Sequence, residues 1–141
     1  MTAAARIICV GNRLLPDDDL GPRIHDLLAA GSLPDGIELY DGGLQGLALA
    51  RLVDGARRVV FVDSIAGFGM VGEILTLSRQ QIADLAAGKA GHAAGLPELF
   101  HFLPHLCDPL PDILLVGGEV PVSDGILPAI AERALSEAMR P

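Results

Sequence analysis

Residues 6–24 read RIICVGNRLLPDDDLGPRI. Ile7, Ile8, Cys9 and Val10 form an unbroken apolar run, the pattern of a strand covered on both faces rather than one. Gly11 ends the run. A short loop then leads to three consecutive carboxylates, Asp17, Asp18 and Asp19, after which Leu20 opens a helical stretch. A buried strand feeding a helix through a short loop is the opening unit of an α/β domain.

The same alternation continues. Strands are expected at Arg6–Val10, Gly36–Tyr40, Arg58–Val62, Gly72–Leu77 and Asp112–Val116. Helices are expected at Leu20–Ala30, Gln45–Leu52, Arg79–Ala87, Ala94–Leu103 and Leu127–Met139. The strand cores VVFV and ILLV are as continuous as IICV. Only the Gly-rich stretch 66–72 separates the third strand from the fourth, too short for a crossover helix, so the fourth strand is expected to run antiparallel at an edge. The expected architecture is a three-layer α/β/α sandwich with a mostly parallel five-stranded sheet and one antiparallel edge strand, forming one domain over residues 1–141.

Composition narrows the function classes. The net charge is −8 and Lys89 is the single lysine, so no basic face is available for a nucleic-acid backbone. No apolar run approaches the roughly 20 residues of a membrane span, and the N-terminal MTAAARIICVGN does not read as a signal peptide. Cys9 and Cys107 form neither a disulfide framework nor a zinc spacing. A cytoplasmic protein with reduced thiols is expected.

In such sheets ligands sit beyond the carboxyl ends of the parallel strands. There the sequence gathers Gly11, Asn12 and the aspartates, then Asp41-Gly42-Gly43, then Asp63-Ser64, and finally Gly117-Gly118-Glu119. Asp17 has an ordinary role open to it as the N-cap of the following helix. Asp63 has one too, holding a neighbouring loop through backbone hydrogen bonds. Capping does not account for three adjacent carboxylates that repel one another. His92, in the small-residue loop KAGHAAGLPELF, completes an O,O,N donor set with Asp18 and Asp63 if that loop reaches the same sheet edge. Carboxylates with imidazole suit a divalent transition metal such as nickel, zinc or iron. His101 and His105 read as surface residues, and His25 carries no signal.

Other chemistries fit less well. Gly11 is followed by no further glycine until Gly21, so the dinucleotide fingerprint is absent, as are a P-loop and a G-x-S-x-G elbow. Ser64 lacks a nearby base, and Cys107 stands in the Pro-rich PHLCDPLP. A phospho-receiver domain would share the acidic pair and Asp63 but needs a lysine after its last strand, where this chain has Gly117-Gly118-Glu119.

The segments GNRLLPDDDLG, DGGLQG, VDSIAGFGMVG, GHAAGLPELF and LLVGGEV, in that order, resemble the hydrogenase maturation endopeptidases. Members of that family trim the C-terminal extension from the large subunit of nickel–iron hydrogenases. The resemblance implies a catalytic pair in Asp18 and Asp63, and a metal-contacting trio in Asp18, Asp63 and His92. It also implies a substrate-binding turn at Asp41, Gly42 and Gly43. The metal would be nickel carried by the substrate, the partner a hydrogenase large-subunit precursor, and the protease a monomer. A non-enzymatic nickel chaperone or inspection module for the same precursor would keep the same ligands. The chain departs from the family at Asp19, where glycine or alanine is usual, and at Leu44, where a hydroxyl residue is usual. Its Glu119-Val120-Pro121 replaces the usual Ile-Glu-Pro.

Overall fold

The apolar run 7–10 forms the middle of β1 (Ala5–Val10) in the computed structural model, which describes residues 3–84 and 95–141. The remaining elements are α1 (Leu20–Ala29), β2 (Ile37–Gly43), α2 (Ala50–Val53), β3 (Arg58–Ile65) and β4 (Ile74–Ser78), followed by α3 (Arg79–Ala83), α4 (Leu96–Leu106), β5 (Asp112–Glu119) and α5 (Leu127–Ala138). The strands make one sheet in the order β2-β1-β3-β5-β4. The first four are parallel, and β4 runs antiparallel to β5 at the edge. This is the expected mixed sheet with its antiparallel edge strand.

Continuous apolar strands are explained by two cores, one on each face. Ile8, Val10, Val59, Phe61 and Leu115 face α4 and the α2 region, where Phe61 packs on Phe100 with ring centroids 4.9 Å apart. Ile7, Cys9, Val60, Val62 and Val116 face α1 and α5. Each helix offers a matching stripe at i, i+3, i+4 spacing. Leu20, Ile24 and Leu28 form it on α1, Leu96, Leu99, Phe100 and Leu103 on α4, and Leu127, Ile130, Ala131 and Ala134 on α5. Among the described residues no helix is long and apolar enough to cross a membrane.

Several boundaries differ from expectation, each for a local reason. The Gln45–Leu52 helix is a 3-10 turn, Gly46–Leu49, continued by the short α2. The α4 helix begins at Leu96 because Gly95 takes a left-handed conformation (φ 83°) before it, and it runs on through Pro104 to Leu106. In α3, Ser78 and Gln81 form a reciprocal capping box, and the part of the expected helix beyond Asp84 lies outside the described residues. Most consequential is the sheet. The ladder continues past the apolar run, pairing Asp63 with Gly117, Ser64 with Gly118 and Ile65 with Glu119. Asp63 and Glu119 therefore belong to strands rather than to the loops after them, as does the Asp41-Gly42-Gly43 segment in β2.

The order 2-1-3 contains the switch point of the sheet. From β1 the chain passes over one face through α1 to β2, then over the other face through α2 to β3. The two connections part above the crevice between the carboxyl ends of β1 and β3, the place where ligands of open α/β sheets bind. Asp18 follows β1, and Asp63 lies in β3.

Candidate active site

The loop from β1 to α1 is shaped by its own backbone. Gly11 has φ 139°, and a Cβ there would lie 2.4 Å from the Asp18 carbonyl oxygen. That closeness lets the Asn12 N–H reach both the Asp18 carbonyl (2.8 Å) and Asp18 Oδ2 (3.2 Å). Asn12 in turn accepts from Leu14 N–H at 2.9 Å. The loop is thus closed on itself, with Asp18 at its throat.

The three aspartates are separated by this geometry. Asp17 is exposed, with a left-handed backbone (φ 64°), and it does not cap α1. The N-cap position falls to Asp19, whose side chain makes no capping bond. Asp19 lines a small cavity of about 140 Å³ with Leu20, Arg23, Val120 and Val122, where Arg23 pairs with Asp124. Asp18 instead lines a neighbouring cleft of about 350 Å³ with Leu15, Ser64, Ile65, Ala66 and Val120. Asp18 and Asp19 therefore serve different spaces.

Asp63, next in sequence to the cleft-lining Ser64, has no solvent exposure. Its Oδ1 accepts from the Ser64 N–H at 2.8 Å, while its Oδ2 has no hydrogen-bond partner among the described residues. Burial pushes the Asp63 carboxyl well above the ordinary range, and the charge of Asp18 adds to the push, against the pull of the Ser64 N–H. Asp18 is thus near enough for its charge to act on Asp63. The structure also leaves one buried carboxylate oxygen open.

The loop-holding role open to Asp63 belongs to Glu119. Its Oε2 accepts from Gly67 N–H at 2.8 Å, and its Oε1 accepts from Phe68 and Gly69 N–H at 2.9 and 2.8 Å. Burial alone would raise this carboxyl, but the three backbone donors outweigh it and hold it below the ordinary range. The sequence signal for this role was a lone acid closing β5 opposite a Gly-rich loop.

A family model described as HycI, hydrogenase maturation protease, matches residues 22–137. The chain belongs to the hydrogenase maturation protease family. It is thus an endopeptidase, a hydrolase of peptide bonds. The hydrogenase expression/formation protein HupD of Bradyrhizobium diazoefficiens is 28% identical, the match covering 88% of this chain and 72% of that protein. The hydrogenase 2 maturation peptidase from Thaumarchaeota archaeon SCGC_AB-539-E09 superposes with a TM-score of 0.64 at 28% identity, covering 96% of each chain. The hydrogenase maturating endopeptidase HybD from E. coli shares the fold, with a TM-score of 0.75 at 24% identity over 96% of this chain and 90% of that one.

Other residues of this maturation protease fall into place around the crevice. Asp41 is exposed; its Oδ1 accepts from Gly43 N–H at 3.2 Å, and its Oδ2 accepts from Arg13 at 3.2 Å. Arg13 also reaches Asp26 on α1, bracing the β1–α1 loop from outside. Gly43 accepts from Gly11 N–H at 3.0 Å, so the Asp-Gly-Gly segment is tied to the loop that carries Asp18. His92 lies outside the described residues. Among the described residues no three potential ligands cluster as a metal site. His101 and His105 are exposed on α4, as expected. Ser64 lines the same cleft as Asp18. Cys107 is buried, and that burial, with Asp54 nearby, pushes its thiol up and away from the reactive thiolate.

Proposed function

We propose that this protease removes the C-terminal extension from a nickel–iron hydrogenase large-subunit precursor after nickel insertion, with the substrate-bound nickel as its recognition signal. Asp18, Asp63 and His92 are assigned to the metal, Asp18 and Asp63 also to the chemistry, and Asp41, Gly42 and Gly43 to the substrate segment. The carrying observation is the open Oδ2 of Asp63, buried beside a second carboxylate at the switch-point crevice. A buried acceptor without a donor costs about 1–3 kcal/mol, and more if charged. Two adjacent carboxylates also resist ionising together. A divalent cation brought by the substrate would remove both defects by neutralising the pair and, once the residues covering Asp63 make way for it, by taking up the open oxygen.

That arrangement supports hydrolysis gated by the substrate. With the scissile bond held in the cleft, a carboxylate takes a proton from the attacking water and returns it to the departing nitrogen. The peptide bond and one water become a new carboxyl terminus and a new amine. The substrate's metal can assist by polarising the scissile carbonyl or by acidifying the water.

The test uses protease stripped with a chelator that is then removed, offered nickel-loaded and nickel-free precursor. Loss of C-terminal mass from the loaded precursor alone is expected. Equal cleavage of the empty precursor would overturn the recognition signal, and binding without any cleavage would favour an inspection module.

A further inference from the structure

The loop between β3 and β4 is unusual in what it holds and how firmly. Met70 and Val71 at its tip are 79% and 68% exposed. Such exposure ordinarily goes with a loose loop, yet this one is fixed at almost every residue. Glu119 accepts from Gly67, Phe68 and Gly69. Glu73 accepts from Met70 N–H at 2.9 Å, and Gly72 N–H donates to the Glu119 carbonyl at 2.8 Å. Phe68 turns inward and packs against the core, which leaves Met70 and Val71 as the outward pair. A buried carboxylate thus keeps two large apolar side chains standing in water. Stability alone gives no reason for this.

The loop is continuous with the crevice. Ser64, Ile65 and Ala66, which wall the cleft that Asp18 lines, lead directly into it, and Leu15, on the same cleft, is 52% exposed. The nearby exposed charges are acidic, Asp17 and Glu73, while Arg13 and Arg23 are engaged by Asp26, Asp41 and Asp124. An apolar patch bordered by carboxylates complements an apolar surface bordered by basic side chains.

We propose that the Gly67–Gly72 loop is a rigid docking element that seats an apolar, basic-rimmed surface of the hydrogenase large-subunit precursor, with Glu119 as its positioning residue. This rests on the function proposed above. The loop acts by presenting a preformed surface, so binding does not have to order it. Its contribution falls on substrate affinity rather than on bond cleavage.

The experiment measures kcat and KM for nickel-loaded precursor, with direct titration of precursor binding alongside. The exposed pair is replaced in a Met70→Ser/Val71→Ser variant, which leaves the core untouched. KM and Kd should rise roughly tenfold or more, with kcat kept. Glu119→Gln sets an amide N–H against the loop donors. It should raise KM in the same direction and lower amide-exchange protection at Gly67, Phe68 and Gly69. Added to the Met70/Val71 replacement it should raise KM little further, because both act through one surface. Met139→Ser, an exposed apolar change near Arg57 and Ile37 at the amino-terminal ends of the parallel strands, should leave KM unchanged. Unchanged KM and Kd in the Met70/Val71 variant overturn the proposal, as does a loss of kcat alone in Glu119→Gln. A wild-type protein that binds precursor without cutting refutes the protease reading only, and Kd then decides the docking question. A wild-type protein that neither binds nor cuts refutes both.

Discussion

Asp63 and Glu119 are buried carboxylates on adjacent strands, two pairing positions apart, and their surroundings move them in opposite directions. Glu119 is fully employed by three backbone donors; Asp63 has one donor, an open oxygen and Asp18 as a neighbour. Only the latter arrangement stores unfavourable energy at a site. Replacing Asp63 by Asn relieves it, since the amide keeps the acceptor for Ser64 and offers N–H groups toward Asp18. Asp63→Asn should therefore abolish precursor cleavage while raising the melting temperature at neutral pH, the usual opposition of stability and activity at functional groups. The pH dependence follows from the raised folded pKa. Asp63's favourable contribution is complete below the ordinary carboxylate range and is lost as pH rises through the elevated folded value. The gap between variant and wild type should thus open from that range upward in a series of thermal melts, and a gap independent of pH would contradict it. Asp19→Ala, Ser64→Ala and Cys107→Ala should each leave most processing intact, because none supplies the open oxygen or an activated nucleophile. Near-complete loss with Cys107→Ala in a folded protein would reopen a cysteine mechanism. The sequence displayed Asp18 and Asp63 as acids at strand ends. It did not display which of Asp63 and Glu119 serves the loop, because that depends on a side chain's reach across the sheet.

At the scale of elements, the sequence pattern was legible where burial dictates residue type and misleading where backbone pairing continues without it. The β3–β5 ladder runs three pairs beyond the apolar cores, through Asp63-Ser64-Ile65 against Gly117-Gly118-Glu119. Glycine at 117 is what permits this, since a Cβ there would stand 2.8 Å from the Ile65 side chain. Hydropathy ends at Val62 and Val116, but hydrogen bonding does not. The short Gly46–Leu49 turn was likewise invisible, because a 3-10 turn and the first turn of a helix bury similar side chains. One close approach gives a direct test. α1 lies so near β1 that a Cβ on Gly21 would fall 2.0 Å from the Val10 carbonyl oxygen. In an exposed helix, glycine to alanine stabilises by about 1 kcal/mol. Here the clash with a strand backbone reverses the sign, and Gly21→Ala should cost about 3 kcal/mol in denaturant unfolding. A neutral or stabilising result would mean that α1 can lift from β1 at little cost, and with it the loop carrying Asp18.

For the whole molecule, the switch point between β1 and β3 accounts for why two acids 45 positions apart in sequence lie near one another. That nearness was foreseeable from strand–helix alternation, since consecutive strand ends of a parallel sheet share one edge. The third assigned ligand, His92, belongs to a stretch rich in small residues that lies outside the described region. The described part of the site holds two carboxylates, one of them in a poor environment for its charge. Resident metal sites more often fix their ligands on rigid elements with hydrogen-bonded outer partners. The free protease should therefore bind nickel weakly, and metal analysis after chelation should find far less than one equivalent per chain. Titration with nickel alone should give an affinity that Asp18→Ala lowers further, whereas Asp19→Ala leaves it unchanged. Under the proposed function, in which the substrate supplies the missing charge, the same chelated protein should still process nickel-loaded precursor. Stoichiometric zinc retained through chelation would instead make this an ordinary metalloprotease, and loss of processing on chelation, restored by free metal, would point the same way.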